Sequence, residues 1–241
     1  MEYTVPLALY DFMPVVFTAV ALYWVVRMVV FISPEMGRMA AIGALLVVTG
    51  GAAKATWKLI MAASGGALDI RWLDASLFIF MAPGFILLAS SVWGLTRIVR
   101  GLSPTPARVL GPLAVIATLG ASVAFAVSAP GSPAWSRVLL GAMVVAALAL
   151  SVLFIIFAIR ERLRAATLLL LLNLAGTLAL NAMARLPEQT IPLQWAEQTV
   201  NAASWLAFAV AANLVYAHTR ERFGVDPASQ TASLDPGAET A

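Results

Sequence analysis

Seven apolar runs follow one another along this chain: 5–31, 39–63, 72–99, 109–127, 135–159, 163–186 and 193–217. Only short stretches with turn chemistry separate them: Ser33-Pro34, Gly65-Gly66, Ser103-Pro104-Thr105-Pro106, Pro130-Gly131-Ser132-Pro133, and Pro187 with Pro192. A helix rises 1.5 Å per residue, so about 20 apolar residues cross the ~30 Å hydrocarbon layer with every backbone polar group satisfied internally. With 61% hydrophobic and 11% charged residues and a mean hydropathy of +0.91, the chain reads as an all-α membrane protein, a seven-transmembrane helix bundle over 1–223. The remainder, 224–241, is rich in Pro, Ser, Thr, Asp and Ala and has no apolar period, so a disordered cytoplasmic tail is expected. No length is left for a second folded domain.

Composition also removes whole classes of chemistry. There are no cysteines, which excludes disulfides, thiolate metal sites and thiol nucleophiles, and the single histidine, His218, excludes multi-histidine zinc or haem sites. No metal or cofactor is expected. The basic excess is almost all arginine, and in a membrane chain it reports loop topology, not nucleic-acid binding. Arg27, Arg38, Arg97, Arg100, Arg108, Arg160, Arg162, Arg164, Arg220 and Arg222 fall at one set of alternate helix ends; Arg71, Arg137 and Arg185 fall at the other. That asymmetry puts the amino terminus outside and the carboxyl terminus in the cytoplasm, as for a multi-pass protein of a plasma membrane, the bacterial inner membrane. The opening Met1-Glu2-Tyr3 lacks the basic segment of a signal peptide, so the first run is expected to stay as a helix. The lipid bilayer is the partner implied, with a homo-oligomer or a cytoplasmic partner left open.

Sliding the chain over itself lays Trp72-Leu73-Asp74-Ala75-Ser76 on Trp195-Ala196-Glu197-Gln198-Thr199, and the same offset brings Phe85 onto Phe208. Farther along, Val92-Trp93, Thr96 and Arg97 meet Val215-Tyr216, Thr219 and Arg220, whereas the first and fifth helices share little beyond Phe31 over Phe154. The expectation is a three-plus-one-plus-three parallel repeat, 5–99 and 135–222, joined by a linker helix over 109–127. This layout resembles that of the PQ-loop sugar transporters. Their Pro-Gln pair is absent, since the first helix reads Phe12-Met13-Pro14-Val15 and the fifth has no proline, so the plan is shared without the motif. A microbial-rhodopsin pigment needs a lysine deep in the last helix, and the only lysines, Lys54 and Lys58, are in the second. The run Asn213-Leu214-Val215-Tyr216 resembles the last-helix motif of G-protein-coupled receptors only weakly, because its proline is missing.

Charges inside hydrocarbon cost about 2.5–3.5 kcal/mol each on insertion scales, so polar groups kept there are functional candidates. Counted from the arginine ends, Asp11, Lys54, Asn181 and Asn201 fall about 6–9 Å outward of the midplane. Lys58, Asp74, Gln194, Glu197 and Gln198 lie nearer the outer surface, so an outward-open polar cavity is expected. By depth, Asp11 is the expected partner of Lys54, and Asp74 or Glu197 that of Lys58, which otherwise snorkels to the headgroups. Structural ion pairs and a gated Asp11–Lys54 pair remain as two readings. Asn173, Thr177 and Asn181 form a polar stripe at four-residue spacing, either interhelical glue or a cavity wall. Trp205 lies deeper than the other tryptophans, which mark the aromatic belts, and is the candidate for a pocket wall. Pro14 and Pro83-Gly84 are expected to interrupt the helical ladder, as packing kinks or as hinges.

The candidate ligand-binding or gating residues are therefore Asp11, Lys54, Asp74, Asn173, Asn181, Glu197, Gln198, Asn201 and Trp205. Amides and an indole suit an uncharged or zwitterionic small molecule. A small-molecule transporter is the first functional expectation, a seven-helix receptor or sensor acting through a cytoplasmic partner the second, and an intramembrane enzyme the third, with no catalytic residues assigned.

Overall fold

The computed structural model describes residues 4–186 and 190–224. Over these residues the chain folds into helices that make seven membrane-length spans. The expected tail over 224–241, save its first residue, and the turn at Pro187 lie outside the described residues.

The first span is built from two helices, α1 (Val5–Tyr10) and α2 (Phe12–Ile32), that meet at Asp11. The sequence places the disturbance at Pro14, and the break lies one turn earlier for a physical reason. Pro14 has no N–H, so the Tyr10 carbonyl loses the donor it would have found four residues on, and the ladder opens there. The other spans are α3 (Pro34–Ala63), α4 (Arg71–Val99), α5 (Thr105–Ser128), α6 (Ala134–Arg160), α7 (Arg164–Met183) and α8 (Ile191–Phe223). Pro83 lies inside α4, which continues through it, so the interruption expected at Pro83-Gly84 does not end the helix.

Capping fixes several ends that the apolar runs miss. The Ser33 side chain accepts from the Met36 N–H at 3.4 Å, and Pro34 in the first turn has no N–H to leave unpaired. Hence α3 begins before its apolar run does. Thr190 does the same for the Leu193 N–H at 3.4 Å, with Pro192 in the first turn of α8. Gly65 and Gly66, at φ +58° and +84°, supply the left-handed backbone that turns the chain from α3 toward α4.

Each span packs on the next, and α8 closes back on α2. The principal neighbours of α5 are α4 and α6, which also pack directly on each other. Most of the α5 surface is accordingly exposed, with Ala107, Gly111 and Ser122 its buried positions. The most extensive interface joins α3 to α4. There a Cβ on Gly43 would stand 2.7 Å from the Gly84 carbonyl oxygen, and one on Gly84 2.8 Å from the Gly43 carbonyl oxygen. Small residues permit this close backbone approach, which dispersion forces reward where lipid supplies no hydrophobic drive.

Toward the arginine-rich end the interior is apolar, with Leu22, Val25, Met28, Leu95, Phe154 and Phe208 fully or almost fully buried. Polar contacts reappear at that end. Arg27 donates to the Tyr216 hydroxyl at 3.4 Å beneath the Trp24–Tyr216 ring pair, and Arg108 pairs with Glu35. Glu161, partly buried, holds both Arg222 and His218, the latter at 3.1 Å.

Candidate functional site

A cavity of about 260 Å³ opens at the end of the bundle opposite the arginine-rich one, between α2, α3, α4 and α8. Local sequence explains why space is left there. Gly51 and Ala55 present almost no side chain from α3, and the first span is broken at Asp11 just where it would otherwise close over them. Asp11, Lys54, Lys58, Gln198 and Asn201 supply the polar lining, while Pro14, Val15, Val47, Val48, Leu77 and Met81 supply the apolar part. Trp205 forms the deep wall. Its ring stacks near Phe85 with centroids 6.4 Å apart and meets Phe208 edge-on at 5.7 Å, so two aromatic side chains hold its orientation.

The ion pairs differ from those expected by depth. Lys58 Nζ lies 2.5 Å from Asp11 Oδ2, and Lys54 pairs with Asp74. A lysine stem spans about one helical turn, so Lys58 reaches Asp11 on the first span although their backbone depths differ. A comparison of Cα depths overlooks that reach. Lys58 therefore does not snorkel outward as its own depth implied. Lys54 runs over the Trp57 ring, 4.3 Å from its centroid, on the way to Asp74. Burial separates the pairs: Lys58 and Asp11 are 18% and 6% exposed, Lys54 and Asp74 30% and 43%.

Two acceptors remain unmatched. Asp11 Oδ1 and Glu197 Oε1 are both buried without a hydrogen-bond partner among the described residues. Glu197 lies within electrostatic range of Lys58 and adjoins Gln198, which lines the cavity. Beyond the mouth, Asp69 accepts from the Trp57 indole at 3.0 Å and from Arg71 at 2.9 Å, clamping the α3–α4 loop. Those two bonds, the indole's first, hold its carboxyl below the usual aspartate value.

Of the sequence candidates, the cavity brings together Asp11, Lys54, Gln198, Asn201 and Trp205, with Asp74 reached through Lys54. It does not include the α7 stripe. Asn173 is buried against α8 and donates to the Ser204 carbonyl at 3.0 Å, as an interhelical tie does. Thr177 bonds back to Asn173 and Asn181 to Thr177, so those groups are spent along α7, where Asn181 is exposed. Sequence reasoning missed Gly51 and Thr18 as lining residues. The Gly50-Gly51 pair inside a long helix was the available signal, since interior glycine is costly unless close approach or open space requires it.

A second cavity, of about 230 Å³, lies at the arginine end between α4, α6 and α8, lined by Thr96, Arg100, Phe157, Arg160, Glu161 and Arg222 among others. Met81 lines the first cavity and Thr96 the second, so about 22 Å of α4 separates them at 1.5 Å per residue. Phe154, Phe208 and Trp205 pack edge to face within that interval. Compared with protein-family profiles, curated proteins and solved structures, the chain matches none.

Proposed function

We propose that the chain is a small-molecule transporter of two three-helix units joined by α5, with its amino terminus outside and its site open outward. The observation that carries the reading is the charged and amide-lined cavity, which reaches from one end of the bundle to an aromatic floor while a second vestibule approaches from the other end. Arginine enrichment at the closed end supports a cytoplasmic assignment for it.

The neighbour pattern supports the duplication. Exchange of α2, α3 and α4 with α6, α7 and α8 turns the α2–α8 interface into α6–α4 and the α3–α4 interface into α7–α8, and all four are among the larger interfaces. Burial supports it as well: Phe85, Leu88, Val92 and Thr96 are buried on α4, as are Phe208, Ala211, Val215 and Thr219 on α8 at the offset that superposes Trp72 on Trp195. For the middle helices, the buried Met36, Ala40 and Gly43 of α3 correspond to Ala166, Leu170 and Asn173 of α7 at a longer offset. The two helices are 30 and 20 residues long, so a single sliding offset cannot register every pair of helices. Trp72 and Trp195 themselves differ in setting, one exposed and the other packed on Tyr10 at 5.2 Å.

The absence of cysteine makes a substrate-free test direct. Gly51→Cys places one thiol in the cavity and Ala212→Cys one in the seal, where Ala212 is 1% exposed. Labelling by an impermeant sulfonated maleimide is compared in right-side-out and inverted vesicles. A transporter exposes position 51 to the outside and, in its other state, position 212 to the inside. A receptor is the second reading, favoured by the thickness of the seal, where Ser91 and Ser151 bond back to carbonyls of their own helices. It gives labelling at position 51 from outside and none at position 212 from either side.

A further inference from the structure

Hydrogen-bonding capacity around the outer cavity is unbalanced. An ionised carboxylate only accepts. Asp11 is 6% exposed; Lys58 takes its Oδ2, and its Oδ1 has no partner among the described residues although the side chain lines the cavity. Glu197 Oε1 adds a second acceptor in the same condition on the adjoining face of α8. Two nearby donors are committed elsewhere, Lys54 to Asp74 and the Thr18 hydroxyl to the Pro14 carbonyl at 2.7 Å, and the Gln198 and Asn201 amides, which also line the cavity, carry no positive charge. Leaving a buried charged acceptor unmatched is costly, so the cavity is complementary to a donor, and to one with positive charge. Three carboxylates, of Asp11, Asp74 and Glu197, face the two ammonium groups of Lys54 and Lys58, which gives the same sign.

Shape narrows the class. At about 260 Å³ the cavity falls below the range of drug-sized sites, and its deep wall is the Trp205 ring, a flat apolar face that attracts cations. Building on the transporter reading, we propose that the substrate is a compact organic amine. Its ammonium pairs with the Asp11 carboxylate, a turn of that side chain presenting Oδ1 as the amine enters, its apolar body lies against Trp205, and the Gln198 and Asn201 amides meet any further polar group.

The test uses the Gly51→Cys chain, in which the new Cβ meets the Val15 side chain at 3.4 Å, an ordinary contact. Alkylation at position 51 is followed with 2-phenylethylamine, 2-phenylethanol or 3-phenylpropionate, which share one body and differ in head group. The expected result is slowing by the amine alone, about tenfold at a concentration ten times its Kd. Asp11→Asn should abolish the slowing. Because that change strands Lys58, Asp11→Asn/Lys58→Met, checked by melting, is measured beside it and should also be unprotected.

Equal slowing by all three compounds, no slowing by the amine, protection that persists in the double variant, or no alkylation at position 51 would overturn the assignment. The two readings fail separately. Position 212 labelled from inside with no amine effect leaves a transporter for another substrate; an amine effect with position 212 silent leaves an amine receptor.

Discussion

Removing the Lys58 charge distinguishes the observed pairing from the one that depth alone implies. Lys58→Met keeps much of the apolar stem and strands the Asp11 carboxylate, of which only 6% is exposed. Breaking a buried pair from one side costs about 3–5 kcal/mol. At roughly 2–4 °C per kcal/mol for a chain of this size, melting should fall by about 6–20 °C. One turn away on the same helix, Lys54→Met removes a pair whose members are 30% and 43% exposed, and solvent screening limits that loss to about 0–1 kcal/mol. Asp11→Asn alone should resemble Lys58→Met, whereas Asp11→Asn/Lys58→Met, with no charge left to strand, should recover most of the loss. The matched cycle with Asp11→Asn/Lys54→Met should be additive to within about 0.5 kcal/mol. Thermal unfolding in one detergent at fixed pH and salt measures all of these. The pairing is refuted if Lys54→Met is the more damaging single change, or if coupling appears in the Asp11/Lys54 cycle and not in the Asp11/Lys58 cycle.

Other consequences are open to measurement. Gly84→Ala drives a methyl to 2.7 Å from a Val47 methyl and 2.8 Å from the Gly43 carbonyl oxygen, and should cost about 1–3 kcal/mol by overpacking, read as a lower melting temperature. Asn173→Ala removes the tie to the Ser204 carbonyl and should cost on the order of 0.6 kcal/mol while leaving alkylation at Gly51→Cys unchanged; a changed alkylation rate would place Asn173 in the cavity machinery. For the Asp69 clamp the folded-state value is depressed, so its stabilisation is present above the ordinary value of 3.8 and is lost as pH falls through the lowered one. Hydrogen exchange over 64–70, corrected for intrinsic rates, should therefore stay flat from neutral pH to about pH 5 and accelerate in stronger acid. Asp69→Asn should show faster exchange already at neutral pH.

The span count was legible because the membrane imposes a length on every crossing segment, and an apolar run records that length directly. Helix ends were less legible: Ser33 and Thr190 lie outside the hydrophobic signal, and their side-chain bonds carry α3 and α8 beyond it. The cavity's composition was visible in the depth of Asp11, Lys54, Gln198, Asn201 and Trp205. Who meets whom was not, since a lysine stem spans about one helical turn and Lys58 reaches Asp11 across that difference in depth while Lys54 goes to Asp74. Asn173 shows the other limit. Its chemistry matches that of Gln198 and Asn201, and only the rotation of α7, which aims it at Ser204, sets it apart. The α1–α2 break combines both cases, the proline being plain in the sequence and its effect falling one turn away at the residue that matters most to the cavity.

The contact at Gly43 and Gly84 also governs how the bundle deforms. With backbone against backbone and no side chain between them to change rotamer, α3 and α4 are welded, and a shear between them would have to pull apart their tightest surfaces. Any rocking would carry the two helices as one lever. Lys54 and Asp74 ride together on that lever, so their separation is blind to any rocking of it. Lys58 and Asp11 straddle the seam between the lever and the broken first span, so theirs is the pair that registers the motion.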